Sequence, residues 1–261
     1  MSSNQSILRV NNVDINVVDV GQGSPTLVFL HYWGGSSRTW APVITALSKT
    51  HRCVAIDFRG WGQSDKDAEV YDLETLADDV AQVIAKLGLT EYVIVGHSMG
   101  GKVAQLLASE RPEGLKGLVL VAPAPPTALS VPQEQRQGMI AAYQVREGAE
   151  AVIGILATQP LSDAHREQVI EDTLCGAAGA KQAWPEVGMV QDITGQASKI
   201  AVPVHVIVGG ADNIESEASL RQAFAGVIPQ AGFVVLGGVG HLAPLEATAE
   251  LVAAIRSAPS I

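Results

Sequence analysis

The stretch Val93-Ile94-Val95-Gly96-His97-Ser98-Met99-Gly100-Gly101 constrains this chain more than any other. It is Gly-x-Ser-x-Gly, preceded by an apolar run of strand length and followed by a helix-like segment. In that context the serine sits on a sharp, strained turn between a strand and a helix. A Cβ at either flanking glycine would collide with the neighbouring strand or helix. The turn lifts the Ser98 hydroxyl above the sheet and points the backbone N–H of Met99 at the same spot. The plainer reading is a glycine-rich loop that only closes a strand–helix turn. A phosphate cradle is disfavoured, because neither Gly-x-x-x-x-Gly-Lys-Ser/Thr nor Gly-x-Gly-x-x-Gly occurs.

The rest of the chain alternates short apolar runs with amphipathic ones. Strands are expected over 7–10 and 13–20, joined at Asn11-Asn12, where asparagine tolerates a positive φ. Further strands are expected over 26–30, 53–56, 92–95, 118–121, 204–208 and 233–236. Continuous β-branched runs of this length suit strands buried on both faces, hence a parallel sheet covered by helices. Residues 73–87 carry apolar side chains at helical spacing with Gly88 as a stop, and 103–109 and 218–225 read alike. Together these make a doubly wound α/β sheet. Between Pro125 and Lys199 no strand is convincing. Helical pieces are expected over 132–147, 149–157 and 162–174, the last with Ser162 as N-cap and Gly176 just past its end. The expected organisation is a core of residues 1–124 and 200–261 with a helical cap, 125–199, inserted over the carboxyl ends of the strands, where open α/β sheets bind ligands.

A serine hydroxyl needs a base. Of the 6 histidines, His51 and His205 lead into strands, His165 lies among charged residues on a cap helix, and His97 adjoins the serine on an elbow whose neighbours point apart. His241 follows the last strand in a glycine-rich loop that can lay its ring over the strand ends. The imidazole in turn needs a carboxylate to hold its tautomer. After the strand ending near Val121 the chain offers none. After the strand ending near Val208, Asp212 comes first, and Glu215 and Glu217 should already belong to the next helix. The order Ser98, Asp212, His241 is that of the α/β-hydrolases.

With these motifs in order, the chain resembles the α/β-hydrolase superfamily, close to its small esterase, perhydrolase and lactonase group. The motifs are His31 with Trp33 after the third strand, Asp57 to Asp65 after the fourth, the Ser98 elbow, Asp212 and His241. The resemblance implies a mostly parallel eight-stranded sheet with helices on both faces and an inserted helical cap. It implies a serine hydrolase of carboxylic esters with Ser98 as nucleophile, His241 as base and Asp212 as its orienting acid. In the family the loop after the third strand reads His-Gly-x, and the N–H of x joins that of the residue after the nucleophile in an oxyanion hole. Carried over, these are Trp33 and Met99. Here the glycine is replaced by Tyr32, which places an extra aromatic near the mouth. Asp57 to Asp65 is expected to pack loops rather than react.

Apolar cap positions, among them Met139, Ile140, Tyr143, Ile155 and Trp184, are expected to include some that line the substrate pocket, with Tyr32, Tyr143 and Trp184 the chosen contacts. Arg38 and Lys102 are expected at the surface, so no cation is offered to a second carboxylate. A haloalkane dehalogenase or epoxide hydrolase would carry aspartate where Ser98 stands. The alternatives that remain are an acyl-homoserine lactonase, a cofactor-free haloperoxidase or perhydrolase, and a receptor-like member that binds a lactone.

Composition narrows the partners. The 261 residues are 47% hydrophobic and 17% charged, with a net charge of -10. A chain this apolar folds around a substantial core, and its acidic surface disfavours nucleic acid. The expected partner is a small ester or lactone, and nothing in the sequence specifies an oligomeric state. No metal-ligand spacing such as His-Glu-x-x-His is present, so no metal or cofactor is expected. No run reaches ~18 uninterrupted apolar residues, so no membrane span is expected. The N-terminal stretch has no leader pattern, and a cytoplasmic location is expected. Cys53 and Cys175 are expected to be buried free thiols.

Overall fold

The computed structural model describes residues 4–261. Residues 1–3, the start of the stretch read above for a leader, lie outside the described residues. Strands β1 (Asn4–Val10), β2 (Val13–Val20), β3 (Thr26–Leu30), β4 (Cys53–Ile56), β5 (Tyr92–His97), β6 (Leu115–Val121), β7 (Val204–Gly209) and β8 (Gly232–Leu236) form one eight-stranded sheet. Its order is β1-β2-β4-β3-β5-β6-β7-β8. β2 pairs antiparallel with β1 and β4, and every other pairing is parallel. Asn11 and Asn12, at φ 46 and 62, make the expected turn between β1 and β2.

The helices are α1 (Ala41–Leu47), α2 (Leu73–Lys86), α3 (Met99–Ser109), α4 (Gln133–Ala142), α5 (Arg146–Leu156), α6 (Asp163–Cys175), α7 (Ala178–Glu186), α8 (Thr194–Ala197), α9 (Glu217–Ala225), α10 (Ala243–Glu246) and α11 (Thr248–Arg256). Side chains alternate across the sheet with the period of two that a strand imposes. Val28, Leu30 and Ile94 join the core under α2 and α3, while Leu27, Phe29 and Val93 join the core under α1 and α11. Side-chain caps start several helices: Asp72 accepts from the Thr75 N–H, Ser162 from that of His165 and Ser216 from that of Ser219.

Helices α4 to α8 fill the span between β6 and β7, with no strand among them. Ala149, Ile153 and Leu156 of α5 and Val169 and Ile170 of α6 pack with Tyr32, Leu242 and Leu245. The segment therefore rests on the loops that leave β3 and β8.

Four expectations change. The helix expected over 132–147 ends early, at Ala142, where Tyr143 turns inward to donate from its hydroxyl to the Trp33 carbonyl at 3.2 Å, and the helix expected over 149–157, α5, begins early, at Arg146. Helix α7 was not expected; its Ala/Gly/Gln-rich sequence has no apolar stripe. β8 is not buried on both faces. It is the edge strand, with a neighbour on one side only, and Val235 is 38% exposed. Cys175 is exposed rather than buried, because it ends α6 at the surface, where its thiol reaches the Gly62 carbonyl. Cys53 is buried, and both thiols are free.

Buried polar groups tie the loops above the sheet. The Asp57 carboxylate accepts from the Ser37 and Gln63 backbone N–H groups and from Asn16 Nδ2. Asp57 thereby joins the loop after β3 to the loop after β4. Arg59 in that second loop makes a two-pronged ion pair with Asp79 of α2, both contacts at 2.6 Å, with side chains 6% and 2% exposed. Removing one partner of such a pair leaves a buried charge uncompensated. Asp79→Ala should therefore lower the free energy of unfolding in urea by about 3–5 kcal/mol. Glu217→Ala, which removes only the exposed pair with Arg221, should cost less than about 1 kcal/mol.

Candidate active site

Ser98 joins β5 to α3 at φ 52 and ψ -116, a conformation that side chains rarely adopt. The flanking glycines make the turn possible. A Cβ on Gly96 would lie 2.6 Å from the Gly100 carbonyl oxygen. One on Gly100 would lie 2.6 Å from the His31 oxygen and 2.7 Å from the Leu30 oxygen. The elbow is held to the next strand: the Ser98 N–H donates to the Val121 carbonyl at 3.1 Å, and the Ala124 N–H donates to the Ser98 carbonyl at 3.1 Å.

His241 lies in the loop after β8. Its N–H donates to the Leu156 carbonyl at 2.7 Å, and its carbonyl accepts from His97 Nε2 at 2.8 Å. Glu246 grips the loop on either side, accepting from the Gly240 and Leu242 N–H groups. The imidazole Nδ1 donates to Asp212 Oδ2 at 2.8 Å, with side chains 3% and 0% exposed. The other Asp212 oxygen accepts from the N–H groups of Ile214 and Glu215, which fixes the carboxylate. An imidazole bonded this way through Nδ1 presents Nε2 as a proton acceptor.

His97 and His31 are fully buried and neutral. His97 must donate from Nε2 to the His241 carbonyl, and burial holds its pKa well below the ordinary range. The Phe58 N–H donates to His31 Nε2, so His31 Nδ1 carries the proton and donates to the Tyr32 carbonyl. Burial lowers the His31 pKa to about 4.

Ser98 and His241 border one cavity of about 180 Å³. The expected contacts Tyr32, Tyr143 and Trp184 border it, as do Met139 and Ile155, whereas Ile140 does not. Tyr32 is 2% exposed. It sits inside rather than at a mouth, because Gly35 leaves room for its ring. Trp33 stacks on Tyr143, with ring centroids 3.6 Å apart. Among the described residues, neither the Trp33 nor the Met99 backbone N–H has an acceptor in the protein. Also among them, no three His, Cys, Asp or Glu side chains are placed to hold a metal ion, and no helix is long and apolar enough to cross a membrane.

The sequence profile of the alpha/beta hydrolase fold matches residues 25–152. Over 117 residues, 44% of this chain and 43% of the relative, the chain is 37% identical to the hydrolase-superfamily protein YisY of Bacillus subtilis. It is also 37% identical over 114 residues to a pimeloyl-[acyl-carrier protein] methyl ester esterase of Aeromonas hydrophila, covering 43% of each. The match spans less than half the length of each of these relatives. An esterase from Exiguobacterium antarcticum superposes with a TM-score of 0.89 at 20% identity, over 97% of this chain and 98% of that one. The chain has the α/β-hydrolase fold.

The chain carries two buried ionisable groups that sequence reasoning misplaced. Lys102 of α3 is not at the surface but fully buried. Its ammonium donates to the carbonyls of Thr127 and Gln191, at the two ends of the helical segment, and burial lowers its pKa to about 8. Arg38 is exposed as expected, paired with Glu171 and Asp172. Glu215 does not belong to α9, which starts at Glu217. It lies in the loop before that helix, 5% exposed, and borders the same cavity as Ser98 and His241. Burial pushes its pKa up to about 7, with the Asp212 charge adding to the rise and His241 and Lys102 opposing it. No local pattern marks either residue. Each is buried by elements distant in sequence.

The folded protein thus holds the Glu215 proton more tightly than an unfolded chain does, whose carboxyl titrates near the ordinary value of 4.5. Stability from this group is fully present below 4.5 and is lost as pH rises through about 7. Glu215→Gln cannot ionise. The melting temperature of the variant minus that of the parent should therefore climb between pH 5 and pH 8, which differential scanning at matched pH will read. A flat difference would mean that the carboxyl titrates normally.

Proposed function

We propose that this chain is a serine hydrolase of carboxylic esters with small to medium apolar acyl groups. The observation that carries the reading is the His241–Asp212 hydrogen bond beside a cavity that His241 shares with Ser98. In this reading Ser98 Oγ attacks the ester carbonyl and His241 Nε2 takes its proton. The oxyanion lies against the free N–H groups of Met99 and Trp33. Collapse of the tetrahedral intermediate breaks the C–O bond to the alcohol, and His241 returns the proton to it. Water then attacks the acyl-enzyme, again through His241, and releases the acid. Asp212 keeps the imidazole in one tautomer and stabilises the imidazolium.

Substrate size follows from the cavity. A volume of about 180 Å³ is below the roughly 300 Å³ at which drug-sized pockets begin, which suits a short chain. Residues 125–199 act as the cap that closes it, with Tyr143 and Trp184 against the substrate. The esterase names among the relatives support this chemistry for those proteins, and this chain shares their fold.

Two measurements test the reading. Ser98→Ala and His241→Ala should each lower kcat by roughly 10⁴–10⁶-fold, and the double variant little further. Asp212→Asn should lower it by roughly 10²–10⁴-fold. A folded single variant that keeps a tenth of parental kcat would remove that residue from its role. A panel of p-nitrophenyl esters, lactones, an anilide, and acetate with peroxide and bromide then fixes the class. Ester kcat/KM should be highest at short to medium chains, with measurable lactone opening and negligible anilide cleavage. Lactone turnover more than tenfold above the best ester would make the chain a lactonase, and halogenation without ester turnover would make it a haloperoxidase.

A further inference from the structure

We propose that Glu215 makes the cavity selective for esters that carry a hydrogen-bond donor, an O–H or N–H, within a few bonds of the scissile carbonyl. The proposal rests on the ester-hydrolysis reading above and narrows its substrate class.

Glu215 borders the cavity beside Ser98 and His241 and is 5% exposed. Among the described residues its backbone N–H is bonded to Asp212, while its carboxyl group, on the cavity wall, takes part in none of the side-chain hydrogen bonds. The charged and titratable groups that act on it are His241, Asp212 and Lys102. None of them bonds to it: His241 Nδ1 is taken by Asp212, and the Lys102 ammonium by Thr127 and Gln191. Met139, Val152, Ile155 and Ile214 make the surrounding wall apolar. A bare carboxyl in such a wall is costly unless a partner reaches it.

A plain alkyl ester in this cavity buries the carboxyl without a partner. An ester with a donor pairs it. The pairing holds in both protonation states, since a neutral carboxyl accepts through its carbonyl oxygen and a carboxylate through either oxygen. A substrate carboxylate meets the opposite situation, facing the negative charges of Glu215 and Asp212 with no free cation to offset them.

The test compares matched esters: p-nitrophenyl butyrate against p-nitrophenyl 3-hydroxybutyrate for a donor on the acyl side, and propyl against 3-hydroxypropyl butyrate for one on the alcohol side. The readout is the ratio of kcat/KM within each pair, in which the ionisation of His241 cancels because both substrates use it. The parent should favour the hydroxylated member of at least one pair by about tenfold. Glu215→Leu should abolish or reverse that preference. Glu215→Gln, whose amide still accepts, should keep part of it. Raising pH from 6 to 8 should strengthen the preference in the parent, because a carboxylate accepts more strongly than a carboxyl group, and leave it unchanged in Glu215→Gln. If Glu215→Leu does not fold, the Gln variant and the pH dependence of the ratio carry the decision. Equal ratios in the parent and Glu215→Leu, or no pH dependence in the parent when Leu fails, overturn the proposal and leave the esterase reading standing. If the parent turns over no ester, the esterase reading falls. Calorimetric affinities of Ser98→Ala for the two propyl esters, with and without Glu215→Gln, then decide the role of Glu215: a preference that the second substitution does not change overturns it.

Discussion

The close approach of α3 to the ends of β3 and β5 is the constraint on which the rest depends. Leu30 and Gly96 are paired neighbours in the sheet. The first turn of α3 must pass over both with room for no side chain at position 96 or 100. That contact leaves Ser98 no relaxed backbone conformation, so its φ is positive. It also brings the start of α3 against the loop that leaves β3. Met99 and Trp33, whose N–H groups lack acceptors, belong to those two segments. A methyl group at position 100 would therefore act on the proposed nucleophile, Ser98, and on the proposed oxyanion hole together, by forcing α3 away from β3.

The loops above the sheet are held by polar groups as well as by apolar packing, and the reason is general. A loop carries backbone N–H and C=O groups that no ladder satisfies, and burying them requires partners. Asp57 satisfies N–H groups after β3 and β4, Asp212 those after β7, and Glu246 those around His241. His31 and His97 do similar work with neutral rings, which burial favours over charged ones. The precision of the site thus comes from residues that never need to touch a substrate.

The sheet was legible because its strands are apolar runs whose length and flanking turns leave one reading. The Ser98 elbow was legible because its glycines answer a steric demand that can be stated without coordinates. Asp212 and His241 could be named because each follows the carboxyl end of a strand, and the structure brings them into one hydrogen bond. What could not be read shares a different property. Lys102, Glu215 and Glu246 gain their meaning from partners in distant segments, and their own neighbours in sequence look like those of surface residues. The early end of α4 is of the same kind, since Tyr143 leaves the helix for a carbonyl 110 residues away.

Two carboxyl groups three residues apart differ in the hydrogen bonds that reach them. Asp212 has an imidazole on one oxygen and two backbone N–H groups on the other. Both of its oxygens are thus bonded, which suits the role proposed for it, that of steadying an imidazolium. Glu215 is buried almost as deeply but has no such partners; burial, with the Asp212 charge adding to it, pushes its pKa up to about 7. The loop after β7 thus sets two carboxyl groups side by side, one held by hydrogen bonds on both oxygens and the other open to the cavity.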